Sequence, residues 1–248
     1  MLRWKGSGIM YYAWNPWHGC RKLSPGCKNC FVQFLDQKRG NEAKGFYKVK
    51  TKFNYPVQKT RNGEYKIPSG VQVGTCFTSD FFIEEADELR PAAWKMIAER
   101  PDVEFLIPTK RIARFLDCIP KDWEEGYPNV FICVSIENQR LAEERIPILQ
   151  ALPIQKKGLF LAPLLEEIHL EKFLEKKDIA YVSVGGESYA NARPCRFEWV
   201  ESIKKQCEAY GVPFDFHQTG SNFIKDGKAY QIPHHLEYEQ AKKAFLKK

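Results

Sequence analysis

Three cysteines near the start of the chain, Cys20, Cys27 and Cys30, are spaced C-x6-C-x2-C. They lie in the run Trp-Asn-Pro-Trp-His-Gly-Cys-Arg-Lys-Leu-Ser-Pro-Gly-Cys-Lys-Asn-Cys-Phe-Val-Gln-Phe, from Trp14 to Phe34. Gly19, Pro25 and Gly26 make the backbone between them a loop that can fold back and aim several thiolates at one centre. Cysteines gathered this way in a chain without an export signal read as metal ligands rather than as disulfide partners. Two metal chemistries are open. A closed zinc site needs four N or S ligands, and His18, just before Cys20, would supply the fourth. A cubane iron–sulfur cluster needs only three cysteines, which leaves one iron open to a ligand that is not protein. The usual zinc-ribbon spacing fails for want of a second C-x2-C pair, which tilts the reading toward the cluster. Cys76, Cys118, Cys133, Cys195 and Cys207 are isolated, several of them in apolar runs, and read as small core residues.

The loop must be held by the elements around it. Ile9 to Ala13 reads as a strand feeding it, and Phe31 to Lys38 as a helix leaving it, with Phe31, Phe34 and Leu35 on one face. A basic, polar excursion follows from about 44 to 70, with an Asn62-Gly63 hairpin signal, and reads as a flap. Strands are then expected at Val71–Thr78, Val103–Ile107, Val130–Val134, Leu159–Ala162, Ile179–Val184 and Val212–Phe216. Between them fall helices over Glu84–Arg100 (interrupted at Pro91), Ile112–Leu116, a stretch capped by Asn138 and running to about Leu149, Glu167–Lys176, and Phe197–Tyr210, which Gly211 ends. A turn at Asp226-Gly227 and a helix from about Leu236 complete an extension over about 221–248.

Apolar strands alternating with helices specify an α/β fold with a mostly parallel sheet. Polar residues close each strand: Asp80, Lys110, Glu137, Glu166, Glu187 and Gln218. In a (β/α) barrel these ends share one rim, where chemistry is done, and the cysteine loop would lie on that same rim. An open doubly wound sheet is the alternative, since periodicity does not show closure. The 248 residues are expected to form a single domain, 1–248.

No apolar run approaches the ~20 residues of a membrane helix, and the start of the chain lacks a signal peptide's apolar stretch. Eight cysteines without an export signal point to a reducing cytoplasm. The net charge of +7, from 38 basic and 31 acidic residues, suits an anionic ligand or weak nucleic-acid affinity. The basic residues are spread out, however, so a solvated surface is expected and nucleic acid is not an expected partner.

A cysteine loop after the first strand of a partial barrel resembles the radical S-adenosylmethionine superfamily. The familiar pattern there is C-x3-C-x2-C, and this chain departs from it. Longer runs carry a second resemblance: the cysteine stretch, Thr-Ser-Asp-Phe-Phe, Pro-Thr-Lys-Arg, Val-Ser-Ile-Glu-Asn-Gln, Gly-Gly-Glu-Ser…Ala-Arg-Pro and Pro-Phe-Asp-Phe-His-Gln-Thr-Gly. Together they look like the phage Gp37/Gp68-type family over about Trp14 to Gly220.

That resemblance implies a partial (β/α) barrel of the radical S-adenosylmethionine type. It implies that Cys20, Cys27 and Cys30 ligate a [4Fe–4S] cluster whose open iron chelates S-adenosylmethionine. One electron would split that cofactor into methionine and a 5′-deoxyadenosyl radical, which takes a hydrogen from substrate. Trp14, Trp17 and Phe31 would shield the cluster. Ser79 and Asp80 would hold the methionine amino group, or cap a helix instead. Lys110 would meet the cofactor carboxylate, or stand exposed. Ser135, Glu137 and Asn138 would take ribose hydroxyls, or cap.

Within the group, the resemblance is to enzymes of queuine salvage. The implied activity is a lyase that cleaves the C–N linkage of free queuine and releases 7-aminomethyl-7-deazaguanine. Glu187, after Gly185-Gly186, is the candidate for reading the paired N–H donors of a 7-deazaguanine base. Arg193 would pair with Glu187 or with ligand. Asn15 and His18 would contact substrate near the cluster. His217 and Gln218 end the last strand, where a rim histidine is more often structural, and His169, His234 and His235 read as surface. The implied partners are the small base and a one-electron donor protein such as flavodoxin or ferredoxin, with no membrane. Two alternatives stand beside this reading: a radical enzyme acting on a base within DNA or tRNA, motivated by the basic stretch Lys44 to Lys66, and a non-catalytic zinc module.

Overall fold

The structure, a computed structural model, describes residues 11–41 and 45–246. Ile9 and Met10 of the expected first strand, and Lys44 at the start of the excursion, lie outside those residues. In chain order the elements are β1 (Tyr11–Trp14), β2 (Trp17–His18), α1 (Phe31–Lys38), β3 (Tyr47–Lys48), β4 (Gln72–Thr75), α2 (Arg90–Glu99), β5 (Glu104–Thr109), α3 (Phe115–Cys118), β6 (Val130–Ser135) and α4 (Gln139–Ala151). They continue with β7 (Lys156–Leu161), α5 (Glu171–Leu174), β8 (Ile179–Gly185), β9 (Cys195–Arg196), α6 (Phe197–Tyr210), β10 (Phe214–Gln218), β11 (Asn222–Lys225), β12 (Lys228–Gln231) and α7 (Glu237–Ala244).

Seven strands form one sheet in the order β1-β4-β5-β6-β7-β8-β10, every neighbouring pair parallel. The sheet curls into a half-barrel with helices around it. The uninterrupted apolar runs explain this. Ile132, Cys133 and Val134 of β6 are consecutive and all buried, so both faces of the strand are covered. Helix α6 turns Val200, Ile203 and Cys207 inward and stops at Gly211, which takes a left-handed φ of 69°. All five isolated cysteines are buried. Among the described residues no helix is long and apolar enough to cross a membrane.

Some expected elements are shorter than the sequence suggests. The helix expected over Glu84–Arg100 begins only at Arg90, with Pro91 in its first turn rather than interrupting it. The strand expected to reach Thr78 ends at Thr75, because Cys76 takes a left-handed φ of 62° and Ser79 N–H closes a turn onto its carbonyl. The helix expected from Glu167 starts only at Glu171. The backbone before it is held by side chains instead: His169 N–H donates to Gln139 Oε1 at 2.8 Å and Leu170 N–H to Gln206 Oε1 at 2.5 Å. Two small sheets carried no periodicity to find them, the β2–β3 pair and the three-stranded β12-β11-β9.

The excursion over 45–70 is anchored. Arg100 is fully buried and donates to the carbonyls of Pro56 at 2.5 Å and Ile67 at 2.8 Å, while Asp102 neutralises it. At its tip Lys59 and Tyr65 bridge across the turn at Asn62-Gly63.

Asn138 caps α4, its Oδ1 accepting from Leu141 N–H at 3.0 Å. Asn138→Ala is expected to cost about 1 kcal/mol, read as a shift in the urea midpoint.

Candidate active site

The cysteine loop leaves β1 through β2, on the carboxyl-terminal rim of the sheet. Its entry is fixed by Gly19, whose N–H donates to the Thr78 carbonyl at 3.1 Å and whose own carbonyl accepts from Ser79 Oγ at 2.5 Å. A side chain is excluded there: φ is +92° and a Cβ would lie 2.3 Å from the Gly45 carbonyl oxygen. Further along, Ser24 Oγ donates to Glu137 Oε1 at 2.6 Å. A Cβ on Gly26 would lie 2.5 Å from Glu137 Cγ, so glycine lets the loop sit directly on that carboxylate. Asn29 Nδ2 donates to Glu187 at 3.0 Å and to the Asn191 carbonyl at 2.8 Å, and Arg193 donates to the Pro25 carbonyl at 2.8 Å. The loop is therefore stitched to residues just beyond β6 and beyond β8.

Cys27 is buried, whereas Cys20 and Cys30 are half-buried. Burial and the Asp80 carboxylate push the Cys20 thiol up to about 11, against the pull of Arg111. Arg111 Nη1 lies 3.6 Å from Cys20 Sγ and 3.5 Å from Asp80, and its Nη2 donates to the Arg21 carbonyl. Cys20 and Cys27 are close enough to interact electrostatically. Among the described residues no group of three or more His, Cys, Asp or Glu side chains is drawn together closely enough to hold a metal ion. His18 is occupied elsewhere: its Nε2 pairs with Asp36 of α1 at 2.8 Å, and its ring lies over Tyr47.

The rim carboxylates are already in use. Glu137 is fully buried and takes Ser24, Lys110 Nζ at 2.6 Å and Arg145 Nη1 at 3.3 Å. Lys110 is therefore paired rather than free. Ser135 is buried and its carbonyl accepts from Arg145. Asp80 accepts from Phe82 N–H, Thr109 Oγ1, Lys110 N–H and Arg111, and acts as the knot between the second and third strands of the sheet. Glu187 is buried and bonded to Asn29 and to the backbone and guanidinium of Arg193. Burial opposes its charge, but those bonds outweigh it and hold the carboxyl below the usual glutamate range. Any ligand read by Glu187 or Asp80 must take the place of one of these partners. Asn15 Oδ1 accepts from Thr78 N–H at 3.0 Å, so it shapes the rim. Glu166 caps α4 by accepting from Gln139 N–H, and Gln218 donates to the Gly186 carbonyl.

Four contributors escaped the sequence reading: Ser24, Asn29, Thr78 and Arg111. The Oγ1 of Thr78 is buried without a hydrogen-bond partner among the described residues. It sits on the residue whose backbone holds both Asn15 and Gly19. An unspent hydroxyl at this spot suits a polar ligand bound beside the loop. Arg111 was legible in principle, since it closes the Pro-Thr-Lys-Arg run that ends β5. Trp14 and Trp17 are wholly buried behind the loop, whereas Phe31 is 42% exposed. The rest of its helical face is covered: Phe34 and Leu35 are half-buried, and Phe34 stacks on Tyr189 with ring centroids 4.6 Å apart.

His217 lies over Gly185, with Nδ1 2.9 Å from Ser183 Oγ. Burial pulls it down from 6.5 to about 4. The folded protein then binds fewer protons than the unfolded chain between those values. Stability is complete above about pH 6.5 and falls as pH drops toward about 4, by up to ~3 kcal/mol. Urea midpoints measured across that window should show this loss, and His217→Gln should flatten it.

The family model described as "Protein of unknown function (DUF5131)" matches residues 7–244. No curated protein matches the chain. A solved structure of a spore photoproduct lyase point mutant superposes with a TM-score of 0.51 at 14% identity, covering 92% of this chain and 70% of that one. At that identity the likeness speaks for the fold alone: a partial (β/α) barrel with helices outside.

Proposed function

The chain belongs to the DUF5131 family, and we propose that it is a radical S-adenosylmethionine enzyme, a queuine lyase. It would cleave the C–N linkage of free queuine and release 7-aminomethyl-7-deazaguanine. The observation that carries the radical reading is the position of the C-x6-C-x2-C loop on the carboxyl-terminal rim of a partial barrel, tied to Glu137 and Glu187. The choice of queuine rests on the resemblance of the Gly-Gly-Glu-Ser…Ala-Arg-Pro and neighbouring runs.

Cys20, Cys27 and Cys30 would hold a [4Fe–4S] cluster and leave one iron for S-adenosylmethionine. When bound, the pair supplies one-electron cleavage of a sulfonium and so starts hydrogen abstraction. The chain's own residues prepare the site. Arg111 offers positive charge beside the Cys20 thiol. Ser24 and Gly26 seat the loop on Glu137, whose charge is spent on Lys110 and Arg145. Thr78 Oγ1 is proposed as a hydrogen-bonding group for the bound cofactor, with Ser79, Asp80, Ser135 and Asn138 shaping the rim around it. Trp14 and Trp17 exclude water from behind the loop. Glu187 is proposed to read the base by exchanging Arg193 for the paired N–H donors of the ligand.

The test is an anaerobic incubation of reconstituted protein with dithionite and S-adenosylmethionine, with and without queuine, read by mass spectrometry. 5′-Deoxyadenosine and 7-aminomethyl-7-deazaguanine are expected together and only when queuine is present. Cleavage of S-adenosylmethionine with queuine left intact would contradict the substrate assignment.

A further inference from the structure

The two faces of the seven-stranded sheet are built differently. Side chains along β6 alternate between them. Val130, Ile132 and Val134 join the main core, with Ile97 of α2, Ile146 of α4 and Ile203 of α6. Phe131 and Cys133 point the other way, into a separate cluster with Leu106, Phe160, Phe77 and Tyr181. The helices lie outside, so this second cluster is the inner face of the half-barrel. Gly158 of β7 leaves room for Phe131 to lie across it: a Cβ there would be 2.9 Å from that ring and 2.7 Å from Cys133 Sγ. Phe77, Phe131 and Tyr181 are only half-buried, so three rings present accessible surface inside the barrel. Phe77 adjoins Thr78, whose backbone holds Asn15 and Gly19, so the inner face runs up to the cysteine loop.

A polar group stands beside the rings. Asp215 of β10 is in register with Ser183 of β8. Tyr181 is hydrogen-bonded to both, and Ser183 Oγ lies 2.9 Å from His217 Nδ1. Gly185 makes the space that this imidazole fills, since a Cβ there would be 2.5 Å from its Nε2. Asp215 differs from the rim carboxylates. Glu137, Glu187 and Asp80 are each paired with a lysine or an arginine. Asp215 is half-buried and feels Lys242 electrostatically, but it forms no ion pair among the described residues. Burial pushes its carboxyl above the usual aspartate range. That is the behaviour of a negative charge short of compensation.

We propose that Asp215 is a specificity-determining residue, which pairs with a protonated amine carried by a flat heteroaromatic base lying against Phe77, Phe131 and Tyr181. The proposal rests on the queuine lyase reading and adds to it the group that recognises the linkage amine. Aminomethyl linkages are alkylamines and carry a proton at neutral pH. A carboxylate with no cation of its own takes up such a group through a charge-assisted hydrogen bond without first losing a partner. Glu187, in contrast, must give up Arg193. Ser183, the register partner of Asp215, precedes Glu187 by four residues, about 13 Å of strand. The two carboxylates are therefore placed for opposite ends of one ligand, ring N–H donors at Glu187 and the amine at Asp215. Ordinary nucleobases carry no such cation, so the pairing also selects against them.

The experiment is a calorimetric titration of the reconstituted protein, unreduced and with S-adenosylmethionine present, so that nothing is turned over. Two bases with the same ring are the probes: 7-aminomethyl-7-deazaguanine, which carries the cation, and 7-cyano-7-deazaguanine, which does not. The unaltered protein is expected to prefer the amine-bearing base by at least about tenfold. Asp215→Asn keeps the size of the side chain and an acceptor for Tyr181. It is expected to erase that preference while leaving the Kd of the cyano base and of S-adenosylmethionine unchanged. Phe131→Ala is expected to weaken both bases alike, by about tenfold. The proposal is overturned if the unaltered protein shows no preference for the amine-bearing base, or if the preference survives Asp215→Asn. Equal loss of both bases in Asp215→Asn would make the residue structural and overturn it too, as would unchanged affinity for both in Phe131→Ala. Dithionite-driven cleavage of queuine is measured alongside. If the unaltered protein binds neither base and leaves queuine intact, the function reading falls and takes this proposal with it; cleavage of queuine with a preference that survives Asp215→Asn overturns the role of Asp215 alone.

Discussion

Alanine at Cys27 is expected to abolish cluster assembly and to lower S-adenosylmethionine cleavage by at least about a thousandfold, or ~4 kcal/mol in barrier. Cys27 is the informative choice because it is the buried member of the three. Its neighbours Ser24 and Gly26 keep the loop on Glu137 whether or not the thiol is present. The lost packing should cost only about 1 kcal/mol, the common size for a small truncation, so the loss of activity is not a loss of fold. Iron and sulfide content, far-UV circular dichroism and 5′-deoxyadenosine formation check the three parts separately. Cys207→Ala supplies the contrast: that thiol is buried on α6, away from the rim, and its loss should lower stability while leaving iron content intact.

The largest effect on stability is expected at Glu137. Its carboxylate has no exposure and compensates Lys110 and the buried Arg145 while accepting from Ser24. Glu137→Ala leaves two cations facing a void, and removing one partner of a buried ionic cluster costs about 3–5 kcal/mol. The expected observation is a large fall in the urea midpoint together with poorer cluster retention, because the loop loses its seat. Glu137→Gln keeps the volume and an acceptor for Ser24, so it should recover part of the stability. Equal stability of all three proteins would mean that the loop is held by other contacts.

What was legible in the sequence was local or periodic. Helix α1 occupies Phe31–Lys38 and α6 occupies Phe197–Tyr210, as their apolar spacing and the Gly211 stop indicate. Asn138 caps the helix it was expected to cap. The rim position of the cysteine loop followed from the order of strands. The partners of the rim residues were hidden, because they are set by tertiary approach. Nothing in the types or spacing of Glu187 and Asn29 announces that they meet across 158 positions of chain. The same holds for Glu137 with Ser24, and for Asp80 with Lys110 and Arg111. The sequence therefore offered carboxylates as free ligand groups that the fold spends on its own cations and amides. The helix from Glu167 starts late for a related reason: the N–H groups of His169 and Leu170 are taken by the side chains of Gln139 and Gln206, which lie far off in the chain.

The most direct test of the radical reading is the electron paramagnetic resonance spectrum of the dithionite-reduced, anaerobically reconstituted protein, recorded with and without S-adenosylmethionine beside iron and sulfide analysis. The account predicts about four irons and four sulfides per chain. It also predicts a reduced-cluster signal that changes shape when S-adenosylmethionine occupies the open iron. A colourless protein holding one zinc, or a cluster signal indifferent to S-adenosylmethionine, would contradict it.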